Sequence, residues 1–159
     1  MNCKVHFKIG TYIILICLFT WLLVSCNGTA KDPKDAAEKL VAADTWKIDQ
    51  ILVNDVATFK DGKMIKQFGG IDFERYMETV QFKANGKFEG VFKGETKPME
   101  LRWMVGDKDI SISAPDQKGG AWSVLPADVT ADSFTMTTQS TAYDYPRMTK
   151  IALIFKAGK

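Results

Sequence analysis

The sequence predicts an all-β domain, an antiparallel up-and-down meander of about 8–10 strands that closes into a barrel, with a short helix before it. Apolar and polar residues alternate with a period of two over most of the chain after residue 44, which is typical of strands with one buried face. Turn signals recur about every ten residues. The short connections favour antiparallel neighbours, and closure into a barrel removes exposed strand edges.

The predicted helix runs from Pro33 to Ala43. Asp32 belongs to the residue types preferred at a helix N-cap, and Pro33 suits the first helical position because its missing N–H would be unpaired there in any case. Residues with good helix propensity follow, among them Ala36 and Leu40. The first strand begins just after this helix, at Trp46.

Two hairpins are predicted from their turn residues, at Asp61-Gly62 and at Asn85-Gly86. The second signal is the stronger, because Asn-Gly tolerates two consecutive positive φ angles. Tyr143 to Arg147 is predicted to be a loop, whereas a turn and a helix both remain open for Ile71 to Met77. The apolar positions of the later strands are Met99, Leu101, Trp103 and Val105, then Ile110 and Ile112, Trp122 and Val124, Phe134 and Met136, and finally Ile151, Leu153 and Phe155.

A separate apolar run, Ile9 to Val24, precedes the domain. Lys4 and Lys8 give it a positive start, and the small residue Ser25 ends it. Such a segment is typical of a secretion signal and slightly short for a transmembrane helix of about 20 residues. The sequence therefore predicts a removed signal peptide over residues 1–25, a tether and helix over residues 26–43, and a barrel domain over residues 44–159.

The signal ends in Leu23-Val24-Ser25-Cys26, which resembles the lipobox of bacterial lipoproteins. The resemblance implies cleavage before Cys26, a thioether-linked diacylglycerol on its sulfur, and acylation of the new amine by a fatty acid such as palmitate. An uncleaved signal anchor is the alternative. The implied location is the cell envelope of a Gram-negative bacterium. Because Asn27 to Asp32 contains no acidic run, an outer-membrane lipoprotein that faces the periplasm is expected.

Composition excludes several functional classes once the leader is removed. The chain has 21 Lys and Arg against 19 Asp and Glu; Lys4 and Lys8 account for the excess, so no basic field remains for nucleic acid. The single histidine, His6, lies in the leader, and Cys26 is the only cysteine after residue 25. Catalysis by Ser-His-Asp or Cys-His groups and zinc sites built from His and Cys are therefore excluded. No enzyme activity, cofactor or metal is predicted.

A tryptophan that opens the first strand, in Asp44-Thr45-Trp46, is similar to the Gly-x-Trp pattern of lipocalins, although Asp44 stands where that family has glycine. The hairpin from Val80 to Phe88 also resembles one that is common in bacterial lipocalin-like domains. The resemblance covers most of the chain from Thr45 to Phe155. It implies a lipocalin-like barrel that binds a small apolar ligand inside.

The candidate ligand-binding residues are Trp103, Trp122, Met136, Tyr143 and Tyr145. Trp103 and Trp122 are expected to face the same inner side of the barrel, across one intervening strand, where they would bracket a ligand. Two alternatives stay open, because alternating apolar residues also suit a barrel filled by its own side chains. The first is a binding protein for a small apolar ligand, and the second is a non-enzymatic accessory subunit of an envelope protein complex.

Overall fold

The computed structural model describes residues 28–65, 75–117, 121–144 and 146–158. These residues contain one α-helix, α1 (Pro33–Ala42), a 3-10 helix (Pro126–Asp128) and ten strands. The strands are β1 (Trp46–Val53), β2 (Val56–Lys60), β3 (Lys63–Met64), β4 (Met77–Phe82), β5 (Lys87–Phe92), β6 (Met99–Val105), β7 (Ile110–Ser113), β8 (Trp122–Val124), β9 (Ser133–Asp144) and β10 (Arg147–Ala157).

Eight of the strands form a closed antiparallel barrel, which confirms the predicted fold class. From β4 to β10 each strand pairs with the next along the chain, and β10 closes the barrel by pairing with β1. The other edge of β1 forks: Trp46 and Lys47 pair with β4, whereas the residues from Gln50 to Val53 pair with β2. The β2–β3 hairpin therefore branches from the barrel wall.

Aromatic side chains fill the part of the barrel that lies nearest to α1. The Phe82 ring centroid lies 5.1 Å from that of Phe88, 5.8 Å from that of Trp103 and 5.4 Å from that of Phe134. Phe134 meets Trp46 edge to face at 5.0 Å. These contacts join strands on opposite sides of the barrel, and offset or edge-to-face ring pairs stabilise beyond the area that they bury.

Helix α1 closes this end of the barrel, and its prediction is confirmed to within one residue. The Asp32 carboxylate accepts a hydrogen bond of 2.9 Å from the backbone N–H of Asp35, as expected of an N-cap. Leu40 is fully buried, and its carbonyl oxygen accepts a hydrogen bond of 2.9 Å from Trp46 Nε1. The tryptophan that opens β1 is thus covered by the helix that precedes it in the chain.

The Asn85-Gly86 hairpin is present, but its predicted turn geometry is wrong. Only Gly86 has a positive φ, 83°, and its N–H donates to the carbonyl oxygen of Lys83. This is a type I turn followed by a left-handed residue, the usual three-residue hairpin loop. Two consecutive positive φ angles occur instead at Asn54 (49°) and Asp55 (64°), between β1 and β2, and at Asp61 (51°) and Gly62 (77°), where the predicted hairpin between β2 and β3 is confirmed.

The predicted loop over Tyr143 to Arg147 is shorter than expected. β9 continues to Asp144, and Arg147 already pairs with Asp144 in β10. The polar, Thr-rich part of β9 lacks a strong apolar alternation, yet β9 pairs with β10 from Ser133 to Ser140 and again at Asp144, so the strand is longer than the pattern indicates. Of Ile71 to Met77, residues 71–74 lie outside the described residues, and Met77 begins β4.

Candidate functional site

The interior of the barrel differs between its two ends. Near α1 the inward side chains of Trp46, Phe82 and Phe88 are at most 2% exposed. Toward the opposite end, which we call the open end, Phe92, Met99 and Trp122 are only partly buried against the core. Leu101, which lies opposite Phe88 and so between the two ends, is partly buried as well. Apolar surface facing inward but incompletely covered is the feature that a small-molecule site in a barrel requires.

Strand register places these residues on the inner face. Leu101 pairs with Phe88, which is fully buried, and directly opposite residues in an antiparallel pair share a face. Trp103 and Trp122 both pair with Ile112, from opposite sides of β7. The two tryptophans therefore lie on the same inner face across one intervening strand, and this prediction is confirmed.

Trp103 nevertheless belongs to the filled part of the interior. It is 8% exposed, its ring packs against Phe82, and its Nε1 donates a hydrogen bond of 3.0 Å to the carbonyl oxygen of Lys83. Met136 is fully buried as well. The contacts described for both are with the protein's own core, and their role in ligand binding stays a prediction. Trp122 is the candidate that borders the partly covered region.

Gly90 makes room for a flexible side chain beside this region. It pairs with Val80 and Met99 on the inner face, and a Cβ at this position would lie 2.7 Å from Met77 Sδ. The thioether of Met77 thus occupies the space on the inner face that the side chain of any residue other than glycine would need at position 90. A glycine in the middle of a strand often marks such a close approach, so Gly90 is the sequence signal for this feature.

Thr149 supplies a polar atom to the same interior. It alternates with Ile151 and Leu153 along β10, so its side chain is on the inner face, and it is fully buried. Within the described part of the chain its Oγ1 has no hydrogen-bond partner. A buried hydroxyl without a partner is unfavourable, and a ligand with one polar group would provide that partner. The sequence signal for this site is a threonine that continues the inward apolar positions Ile151 and Leu153 of the last strand.

Trp122 also lines a surface groove at a weak seam of the barrel. β8 has three residues and pairs with β9 only at Ser123 and Thr137. Beside this single pair lies a groove of about 330 Å³, which Trp122, Thr137 and Thr138 help to line. Ser123 Oγ donates to Asp109 Oδ2 across the outer surface. Trp122 therefore packs against the core on one side and lines the surface groove on the other.

A second groove, of about 380 Å³, lies where β4 and β2 diverge from the forked edge of β1. Ile48, Phe59 and Tyr76 line its apolar side, and the Phe59 and Tyr76 ring centroids are 4.6 Å apart. Asp49 and Lys156 line its polar side. No local pattern in the sequence predicts this groove, because the groove depends on two strands sharing one edge of β1.

The Asp49 carboxylate in this second groove is buried and ion-paired. Its Oδ1 lies 2.9 Å from Lys156 Nζ, and its Oδ2 accepts a hydrogen bond from Gln50 Nε2. Burial by itself raises the pKa of Asp49, but the hydrogen bonds from Lys156 and Gln50 and the nearby lysine charges outweigh it, so the pKa lies below its usual value. The hydrogen bond to Asp49 raises the pKa of Lys156. The pair is therefore charged at neutral pH.

The last two candidate ligand-binding residues, Tyr143 and Tyr145, cannot be placed at the barrel interior from the described residues. Tyr145 and the side chain of Tyr143 lie outside the described residues; the backbone of Tyr143 belongs to β9. In the ranges that the structure covers, no group of three or more His, Cys, Asp or Glu side chains is placed to hold a metal ion. In those same ranges no helix has the length and apolar character needed to span a bilayer.

Comparison with known proteins does not identify a family or a function for this chain. No protein-family model, no curated protein and no solved structure matches the chain.

Proposed function

We propose that the chain is a lipid-anchored, non-enzymatic binding protein that holds a small apolar ligand at the open end of its barrel. The observation that carries this proposal is the partial burial of the inward apolar side chains Met99, Leu101 and Trp122, in a barrel whose α1 end contains a cluster of buried aromatic rings. Pockets for small molecules are mostly apolar with a few placed polar groups. The hydroxyl of Thr149 is such a group, so the proposed ligand has an apolar body and one hydrogen-bonding function.

The proposed anchor is the lipid on Cys26, which would hold the domain at the outer membrane on its periplasmic side. A single acyl chain binds a membrane only marginally, whereas several chains hold firmly. Intact mass measurement of the mature protein from cells tests the anchor: a chain that begins at Cys26 and carries acyl mass is expected. Cys26→Ala should abolish both the added mass and the maturation. Mature protein without acyl mass on Cys26 would refute the anchor.

Ligand binding is tested by titrating the purified domain with N-phenyl-1-naphthylamine, an apolar dye that fluoresces when it leaves water. Wild type should bind it saturably at micromolar concentrations. Trp122→Leu should weaken binding by about tenfold or more, which corresponds to about 1.4 kcal/mol of lost contact, and should still unfold cooperatively. Met148→Leu, at an exposed position on β10, is the matched control and should bind like wild type. Absence of saturable binding to the wild type would end the ligand proposal.

A second function is favoured by the filled half of the barrel. The side chains of Trp46, Phe82, Phe88, Phe134 and Phe155 are each at most 2% exposed, which suits a barrel that acts through its outer surface as an accessory subunit of an envelope complex. Native mass spectrometry of protein taken gently from its own cells separates the two functions. A co-purifying small molecule supports ligand binding, whereas an empty barrel in a stable complex with another protein supports the accessory subunit.

A further inference from the structure

Three large apolar side chains are exposed at the end of the barrel that α1 closes. Met104 is 45% exposed, Val105 48% and Leu125 47%. Val56 and Met148 are similarly exposed at the open end, so it is the position of the tether, and not apolar exposure alone, that distinguishes the two ends. Val105 ends β6, and Leu125 directly follows β8. These strand ends are close, because Val105 pairs with Ile110 and Ile110 pairs with Val124. We call Met104, Val105 and Leu125 the apolar rim.

The start of the described chain is fastened at the same end. Ala30 is buried, and its N–H donates a hydrogen bond of 2.8 Å to the carbonyl oxygen of Val129. Val129 caps the 3-10 helix that begins immediately after Leu125. The described chain is thus fixed at Ala30 through Val129, which lies four residues along the chain from Leu125 at the end of the apolar rim.

The distance from this point to the proposed lipid is short. Four residue steps separate Cys26 from Ala30, and an extended chain spans at most about 3.6 Å per residue, or about 14 Å in all. A strand the length of β1 spans about 26 Å at about 3.3 Å per residue. With its lipid in the bilayer, the chain can bring the α1 end against the membrane, whereas the open end is too far away.

We infer that the apolar rim rests on the lipid surface and that the open end of the barrel points into the aqueous compartment. This inference rests on the proposed lipid at Cys26. A bilayer is the occupant that fits, because apolar side chains at a surface that a short tether holds against lipid bury into the headgroup boundary, as amphipathic elements do. The proposed ligand would then enter from the aqueous side.

The test uses single introduced cysteines. Mature protein has no cysteine except Cys26, whose sulfur would be blocked by its thioether, so a thiol-reactive nitrobenzoxadiazole dye labels only the new position. Leu125→Cys reports the apolar rim. Met148→Cys is the matched control, since Met148 is 59% exposed on the first residues of β10, at the open end. Both variants are taken as lipidated protein with confirmed acyl mass and are reconstituted into phosphatidylcholine vesicles.

Lipids that carry a nitroxide on the upper acyl chain should quench the dye at residue 125 strongly and the dye at residue 148 little. Val105→Cys should repeat the result for residue 125 if that substitution disturbs the local fold. Equal quenching at both ends, stronger quenching at residue 148, or no quenching at residues 105 and 125 would overturn the inference while the anchor stands. Missing acyl mass would overturn the anchor itself, and the inference with it.

Discussion

Asp49 shows how one buried side chain ties the pH of the surroundings to the stability of the barrel wall. Asp49 lies at a bulge of β1, between the pair Ile48–Phe155 and the pair Gln50–Ile154 that β1 forms with β10. The other edge of β1 forks at the same place. The Asp49 carboxylate stays charged because Lys156 and Gln50 hold it. A carboxylate whose pKa is lower in the folded than in the unfolded chain stabilises the fold above the unfolded value of about 3.9, and this contribution is lost as the pH falls through the folded value.

Asp49→Asn should therefore lower the free energy of unfolding at pH 7, and the difference from wild type should shrink at pH 3 and below. Urea unfolding of both proteins at the two pH values measures this. Asp107→Asn, at an exposed turn, is the control and should change stability little. A deficit for Asp49→Asn that is as large at pH 3 as at pH 7 would show that packing, and not charge, is responsible.

Thr149 allows a test in which stability and binding change in opposite directions. Thr149→Val keeps the shape of the side chain and removes the buried hydroxyl that has no described partner. The free energy of unfolding of the ligand-free domain should rise by about 1 kcal/mol, because the cost of the unpaired group disappears. Affinity for ligands with a hydrogen-bonding group should fall. A loss of stability in the variant would mean that the hydroxyl is already satisfied in the folded protein.

At the scale of elements, α1 is held to the barrel by a hydrogen bond from the strand that follows it. Trp46 Nε1 donates to the carbonyl oxygen of Leu40 in a fully buried setting. Loss of one partner from a buried hydrogen bond costs about 1–3 kcal/mol, since the other partner remains unsatisfied. The helix itself has three buried side chains, Ala36, Ala37 and Leu40.

Trp46→Phe should destabilise the domain by at least this amount and should loosen α1 in particular. Amide hydrogen exchange in α1 is expected to accelerate relative to exchange in β9 and β10. Trp103→Phe is the matched control, because Trp103 Nε1 also donates to a backbone carbonyl, but to that of Lys83, which lies between β4 and β5 and not in the helix. Equal acceleration in α1 for both variants would contradict a specific role for Trp46.

The hairpin between β4 and β5 depends on one left-handed residue. Gly86 has a φ of 83°, a conformation that costs other L-residues about 1–2 kcal/mol. Gly86→Ala should lower the free energy of unfolding by that amount, and Gly86→Asn by less, because asparagine tolerates this region better. Thermal or urea unfolding checks the order. Equal stability of Gly86→Ala and wild type would mean that the turn rearranges without cost.

The whole molecule is organised around its aromatic core. Phe82 contacts rings from β5, β6 and β9, and Phe134 in turn stacks on Phe155 with centroids 5.0 Å apart. The core therefore connects strands that are distant in sequence. A domain of this size has a total stability of about 5–15 kcal/mol, so a single core ring is a large part of it.

Phe82→Ala should reduce the free energy of unfolding by about 3–5 kcal/mol, the usual cost of removing a buried ring. Equilibrium urea unfolding provides the measurement, with Phe92→Ala as a control at a partly buried position. The control should cost clearly less. A comparable or smaller loss for Phe82→Ala would argue that the interior near α1 is not tightly packed.

Much of this architecture follows from local patterns. Alternation with a period of two identified the inward faces, and it placed Trp103 and Trp122 on the same side before any pairing was known. Asp32-Pro33 marked the start of α1. Alternation does not report how well neighbouring strands cover a side chain, however. Trp103 and Trp122 therefore looked equivalent, although Trp103 is buried and Trp122, on the short strand β8, is only partly buried.

The fork of β1 and the turn at Gly86 were beyond such patterns for a physical reason. Which edge of a strand is shared, and how many residues a hairpin loop contains, depend on register between separate segments. Asn85 suited a two-residue turn, but the pairing of Phe82 with Phe88 leaves a longer loop. The groove at Asp49 likewise exists only because two strands meet the same edge.

The pairing of β1 with β10 has a kinetic consequence. Trp46 lies opposite Ala157, and the Gly158 N–H donates to the carbonyl oxygen of Thr45, so the barrel closes by joining segments from the two ends of the domain. Non-local pairing of this kind slows folding, because the entropy of a long loop is lost before the contacts form. During N-to-C-terminal synthesis, one edge of β1 therefore stays unpaired until β10 emerges. That interval exposes an unpaired strand edge, and its length depends on the rate of chain synthesis rather than on the stability of the finished barrel.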